Sequence, residues 1–362
     1  MSFKIINKKD SILKKTKKLT EVLYKKNTSR YILGINDLTD ELLVYFEKNQ
    51  LDIEGIIDDF TTEKIYKGYQ IVKMLDIPNK NSFIISCVVD GKVVQICDKL
   101  VNSGFKNFIT YFHLRLFDPT LKQIHHCENN IYDIQNNMQK YYWLYSILQD
   151  YKSKETLENI IDFRYNFNID SLRNFKYDLS HQYFEDFVKL DSYEVFVDCG
   201  GWLGDTTLKF IEKCPFYERV YFFEPIKEYF EKARKNLSFY DNIFFFNKGT
   251  YSMDQNLKFT KNNSSSCISN FGEETVEVVK LDNVINHKIS YIKMDVEGAE
   301  YNSLIGAERL IETYKPKLAI CVYHNQEDFW RVPELILHYN PDYKVFLRHY
   351  TQGLLETVMY FV

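Results

Sequence analysis

The sequence predicts an α/β protein with two Rossmann-like sheets. The C-terminal one reads as a doubly wound, seven-stranded sheet whose last strand runs antiparallel, and the N-terminal one as a smaller α/β domain. Three observations predict this. Short β-branched runs alternate with amphipathic helical segments over 31–112 and again from about 188 to the end. Such alternation gives a parallel sheet with helices on both faces. Between them, 119–187 carries apolar residues at helical spacing, as in NNMQKYYWLYSILQDY and SKETLENIIDFRYNF, so this stretch reads as a helical linker. Finally, RHYTQGLLE, which joins the last two strands, is shorter than a helical crossover of about 10–12 residues, so the final strand must reverse. The boundaries expected are 1–118, 119–187 and 188–362.

In chain order, residues 1 to about 28 read as a polar, lysine-rich helix. Strands follow at 31–35, 53–57, 82–89 and 108–112, with helices at 40–49 and 91–103. The C-terminal strands are expected at 194–197, 220–223, 243–246, 290–294, 317–322, 343–348 and 357–362. The polar stretch KFTKNNSSSCISN, 258–270, reads equally as a lid or as a surface loop.

Composition narrows the function classes. A chain of 362 residues with 45% hydrophobic residues can build real cores and is too apolar for disorder. Its net charge of -4 gives no electrostatic footprint for nucleic acid. The seven cysteines are scattered without a CxxC pair, which suits the reduced thiols of a cytoplasm rather than a disulfide frame or zinc site. The N-terminus lacks the apolar core of a signal peptide. No run approaches the roughly 18 apolar residues of a membrane span.

The chemistry is concentrated in EVFVDCGGWLGDTTLKFIEK, 194–213. A buried strand ends at Asp198, and Gly200, Gly201 and Gly204 crowd the turn before a helix that begins with Asp205 and Thr206. Glycines serve where backbone bends sharply and must approach a ligand without a Cβ in the way. Twenty residues after Gly204, VYFFEP ends a second strand at Glu224, where a carboxylate can accept both hydroxyl protons of a ribose. An adenosine-bearing ligand at the strands' carboxyl ends is therefore expected. A pyrophosphate prefers a helix N-terminus free of acids, whereas Asp198 and Asp205 bring negative charge. That disfavours NAD and suits a cofactor with ammonium and sulfonium centres.

Two further motifs end strands at the same edge. YIKMDVEGAE, 291–300, places Asp295 there, with Glu297 and Glu300 at the start of the next helix; acids at that position are also what a helix dipole favours. AICVYHNQEDFW, 319–330, places His324, and LRHY places His349 at the end of the following strand. Histidine accepts protons near neutral pH.

These stretches, together with VVKLDNVI and NPDYKVFLRHY, resemble the FkbM family of class I S-adenosylmethionine-dependent methyltransferases over about 180–362. The resemblance implies S-adenosyl-L-methionine as cofactor. By it, Asp198, Gly200, Gly201, Gly204, Asp205 and Thr206 shape the pocket for the donor's amino-acid end. Glu224 holds the ribose, the segment containing Gly249 and Thr250 lines the adenine, and Gln182 and Tyr183 close over the donor. His324 and His349 match the family's Y-H and R-H-Y positions. The resemblance also implies O-methylation of a sugar or nucleotide-sugar in surface polysaccharide (capsule or lipopolysaccharide) biosynthesis. The N-terminal unit is similar to small Rossmann-like domains of bacterial sugar-modifying enzymes, which implies a substrate-holding role or a homo-oligomer contact.

The mechanism expected is in-line displacement at the donor methyl, with His324 as first choice of general base, Asp295 as second and His349 nearby. A second version has Mg²⁺ on Asp295 and a neighbouring acid. The sequence offers only one well-placed acid, so no metal ligand is assigned. The competing functions are a nicotinamide-dependent sugar oxidoreductase, which Asp198 and Asp205 disfavour, and a non-enzymatic sugar-binding protein with a vestigial fold.

Overall fold

The computed structural model describes residues 3–260, 267–268 and 274–362. The chain divides into two compact units. Unit 1 comprises 1–136, 157–177 and 350–355, and unit 2 comprises 137–156, 178–349 and 356–362. The 119–187 stretch is thus shared between the units. It contains α5 (Asn130–Asn136), α6 (Met138–Ile147) and α7 (Tyr151–Asn166).

Unit 1 opens with α1 (Lys9–Leu23) and holds a six-stranded sheet in the order β3-β4-β2-β1-β5-β6. The strands are β1 (Arg30–Leu33), β2 (Gly55–Ile57), β3 (Ile65–Tyr66), β4 (Tyr69–Val72), β5 (Phe83–Ser86) and β6 (Asn107–Thr110). Its helices α2 (Asp37–Lys48), α3 (Val93–Asn102) and α4 (Tyr111–Phe117) follow β1, β5 and β6. The β3–β4 hairpin and α4 were not expected from sequence. YFHLRLF looks like a strand continuation, but Thr110 caps α4 by accepting from the His113 N–H. The strand order reverses between β1 and β5, where a Rossmann-like sheet would take a ligand. Here the Asn36 side chain accepts from Leu38 and Thr39 N–H and donates to the Cys87 carbonyl at 2.9 Å. Asp37 and Asp40 occupy the first turn of α2. This helix start is capped and acidic, the opposite of a phosphate cradle.

Unit 2 is a seven-stranded sheet in the order β16-β17-β15-β14-β7-β8-β9. Its strands are β7 (Val195–Cys199), β8 (Arg219–Phe223), β9 (Ile243–Phe246), β14 (Tyr291–Met294), β15 (Lys317–Cys321), β16 (Val345–His349) and β17 (Thr357–Phe361). Strand β17 is antiparallel to both β15 and β16. The central strands β7, β14 and β17 are buried along their whole length, as continuous apolar runs require. Beside this sheet lies a four-stranded one, β10-β13-β11-β12, formed by β10 (Gly249–Thr250), β11 (Gln255–Thr260), β12 (Cys267–Ile268) and β13 (Glu274–Val279). Sequence reading took this region as connector. Most of the polar stretch read as a lid or surface loop, 261–266 and 269–270, lies outside the described residues. Helices α8 (Asp205–Lys213), α9 (Lys227–Asn236), α10 (Leu281–Val284), α11 (Glu300–Ile305), α12 (Glu308–Tyr314) and α13 (Asp328–Tyr339) complete the unit. Among the described residues, no helix is long and apolar enough to cross a membrane.

Candidate active site

The strand order of unit 2 reverses between β7 and β14, so their carboxyl ends flank a crevice. The turn after β7 hugs β14. Gly200 has φ +75°, and a Cβ there would lie 1.8 Å from the Asp295 carbonyl oxygen. A Cβ on Gly201 would lie 2.1 Å from the Phe222 ring. Neither position tolerates a side chain. Gly204 is the residue before α8, and Asp205 begins that helix. Thr206 is buried and Asp205 is exposed.

Asp198 is fully buried. It accepts from the Thr207 hydroxyl at 2.7 Å, and Lys293 Nζ stands 3.1 Å from its Oδ1. Lys293 also donates to the Gly200 carbonyl at 2.6 Å, so it ties the turn to β14. Burial alone would lower the lysine pKa, but Asp198 and then Asp295 outweigh it and keep the ammonium charged. This corrects one expectation. Asp198 is neutralised by a buried partner and presents no free charge to a ligand, so the charge argument against a pyrophosphate rests on Asp205 alone. Sequence reading passed over Lys293 because it lies within a strand that reads as core.

Glu224 follows β8 and is buried. One oxygen accepts from the Trp202 N–H at 3.0 Å and the other from the Ile226 N–H at 2.8 Å. Burial raises its pKa to about 7 against the lowering by these two bonds. In β10, the Thr250 hydroxyl lies 2.8 Å from the Ser303 hydroxyl, and Gly249 packs beside Val278 and Pro225. The Asn247 side chain donates to the Glu224 and Pro225 carbonyls. Thr250 is therefore committed to α11 through its side chain.

Asp295 gathers the remaining predicted residues. The Tyr183 hydroxyl donates to its Oδ2 at 2.9 Å and the Tyr323 hydroxyl to its Oδ1 at 3.1 Å. Burial keeps both phenols protonated. Burial would raise the Asp295 pKa, but Lys293, His324 and the two phenols hold it below the usual aspartate value. Tyr183 sits at φ +69°, and its neighbour Gln182 donates to Glu356.

His324 is buried among three carboxylates. Its Nδ1 lies 2.9 Å from Glu300 Oε1, and its Nε2 lies 3.5 Å from Glu297 and 3.7 Å from Asp295. Burial alone would lower its pKa, yet Glu300, then Glu297 and Asp295, hold it well above the ordinary histidine value. Both ring nitrogens of His324 thus face carboxylates, and in this geometry it organises the acids. Two of those acids, Glu297 and Glu300, sequence reading left to the helix dipole. Glu297 has φ +54°, a left-handed conformation that costs a non-glycine residue about 1–3 kcal/mol and clusters at functional sites. His349 is on β16, at the far end of the sheet from β9 and three strands from β14, about 14 Å in backbone spacing. It is buried, with Nδ1 2.8 Å from the Thr357 hydroxyl. The structure brings Tyr183, Asp295 and His324 together and leaves His349 on that distant strand.

Residues 198–351 match the model of the methyltransferase FkbM domain. The match begins at Asp198 and takes in the glycine turn, Glu224, Asp295 and His324. A crystal structure of methyltransferase FkbM from Methylobacillus flagellatus KT is similar over 98% of both chains, with TM-score 0.75 and 23% identity. An rRNA methylase from Streptococcus thermophilus is similar over 48% of this chain and 87% of its own, with TM-score 0.33 and 16% identity. No curated protein sequence matches the chain. The match to an FkbM methyltransferase domain supports a methyltransferase.

Proposed function

We propose that the FkbM domain binds S-adenosyl-L-methionine between β7 and β14. It transfers the methyl group to a hydroxyl of a sugar or nucleotide-sugar, in the cytoplasm, as part of surface polysaccharide biosynthesis. One observation carries this reading. A turn that admits no Cβ at Gly200 or Gly201 lies against Asp295, a carboxylate held by two phenols at the crevice edge.

The residues fit the donor. Each Glu224 oxygen uses one acceptor position on a backbone N–H, which leaves lone pairs for two ribose hydroxyls. Gly200, Gly201, Gly204 and Thr206 line the amino-acid end, and the exposed Asp205 carboxylate meets its ammonium. Gly249 and Thr250 offer backbone to the adenine. Gln182 and Tyr183 close the side next to Asp295. When bound, the cofactor supplies an electrophilic methyl on a sulfonium.

With that donor bound, the acceptor oxygen would bond to the methyl carbon as the carbon–sulfur bond broke, its electrons passing to sulfur. The hydroxyl proton leaves to the Asp295–Glu297 carboxylate pair. Most of the acceleration comes from alignment of oxygen, carbon and sulfur, which can supply about 7–11 kcal/mol.

Calorimetric titration with S-adenosylhomocysteine and with NAD tests the cofactor, with binding expected for the first alone. A labelled-donor screen across nucleotide-sugars, read by mass spectrometry, tests the acceptor. Asp295→Asn is expected to keep S-adenosylhomocysteine binding and to lose about 10²–10⁴-fold in turnover. Binding of NAD, or no binding of S-adenosylhomocysteine, sinks the proposal.

A further inference from the structure

We propose that Asp295, Glu300 and His324 form a binding site for a divalent first-row transition-metal ion at the edge of the crevice. The inference rests on the methyl-transfer reading for its consequence, but its geometry stands separately. The three residues come from three places in the chain: the residue after β14, the first residue of α11 and the loop after β15. Each offers one donor atom within 4.8 Å of the other two. Ligands about 2.0–2.2 Å from an ion lie up to about 4.4 Å apart, so small side-chain adjustments close the site.

A second observation points to a cation. Glu300 is fully buried, and among the described residues its Oε2 has no hydrogen-bond partner. A buried carboxylate oxygen without a donor is costly, and a metal ion removes that cost. Glu297, 3.5 Å from the same imidazole, adds to the negative charge.

The donor set selects the ion. One imidazole nitrogen with carboxylate oxygens suits Mn²⁺, Fe²⁺ or Zn²⁺ better than the all-oxygen shells of Mg²⁺ or Ca²⁺. The site is also asymmetric in exposure. The side chains of Glu300 and His324 are 0% and 2% exposed, whereas that of Asp295 is 23% exposed. Open coordination positions therefore face the crevice, as in catalytic rather than structural sites. Two adjacent hydroxyls of a sugar can fill them. The ion keeps its oxidation state. It polarises the bound hydroxyl, Glu297 takes the proton, and the oxygen then forms its bond to the methyl carbon as the carbon–sulfur electrons pass to sulfur.

The test uses the full chain stripped with chelator and titrated with Mn²⁺. Free ion is followed by electron paramagnetic resonance and stability by thermal melting. Wild type is expected to bind one Mn²⁺ per chain and to melt higher with it. Asp295→Asn and Glu300→Gln are each expected to weaken binding about 10–100-fold, the scale seen when a metal site loses a supporting group. Should Glu300→Gln fail to fold, the partly exposed Asp295→Asn gives the same comparison. No binding at millimolar Mn²⁺, or wild-type affinity in the folded variants, overturns the site. The same samples are titrated with S-adenosylhomocysteine. Loss of Mn²⁺ binding with that titration intact overturns the metal alone, and the reverse overturns the methyl-transfer reading alone.

Discussion

Glu224 shows what a single buried carboxylate contributes. Its two backbone N–H donors fix it toward the glycine turn, while burial lifts its pKa to about 7. A ribose donating two hydroxyl protons needs the ionised form. Below that pKa the side chain must first lose a proton, so affinity falls as pH drops, approaching about tenfold per unit. We expect S-adenosylhomocysteine affinity to decline from pH 7 toward pH 5.5 and to level off above pH 8. Glu224→Gln should weaken binding and flatten that profile. A flat wild-type profile in calorimetry would remove Glu224 from ribose recognition. For folding the sign is the opposite. A raised carboxyl pKa favours the folded protein at low pH, and that contribution fades as pH rises from the ordinary glutamate value through 7.

Among elements, the β7–β14 pair is the junction on which the site depends. Register pairs Asp198 with Lys293 on neighbouring strands. Their side chains meet at 3.1 Å, both almost fully buried. Removing one partner of such a pair strands a charge and costs about 3–5 kcal/mol. Lys293→Met is therefore expected to lower the denaturant midpoint strongly. Combining it with Asp198→Asn should cost less than the sum of the two single changes. Strictly additive losses would mean that the two side chains are not coupled. Lys293 also donates to the Gly200 carbonyl, so the single variant should lose cofactor affinity as well as stability.

On the scale of the molecule, chain order and compact units do not coincide. Unit 2 draws on 137–156, where Asp150 and Ser153 meet Arg348 and Leu347 of β16. Residues 350–355 belong to unit 1, where Leu355 N–H donates to Asp90 and Gln352 donates to the Phe175 carbonyl. A fragment of 188–362, the boundary that sequence suggests, lacks Tyr183 and the 137–156 support. We expect it to melt without cooperativity and not to bind S-adenosylhomocysteine. A cooperative, ligand-binding fragment would show that the helical segments are dispensable.

The sequence by itself determined the strands of the seven-stranded sheet, the glycine turn and the carboxylates at strand ends. Each of these is a local pattern: period-two or continuous apolar runs, glycines clustered after a strand, an acid at a fixed spacing. Asp198, Gly200, Glu224 and Asp295 were legible for that reason. Only the tertiary structure decided which of them carry free charge. Lys293 looks like core until pairing sets it against Asp198, and only folding brings the three acids of the 291–300 motif onto His324. Tyr183 and Tyr323 reach Asp295 from opposite sides of the sequence motif. Protonation and ligand geometry depend on distance and burial, and neither is written in the spacing of residues along the chain.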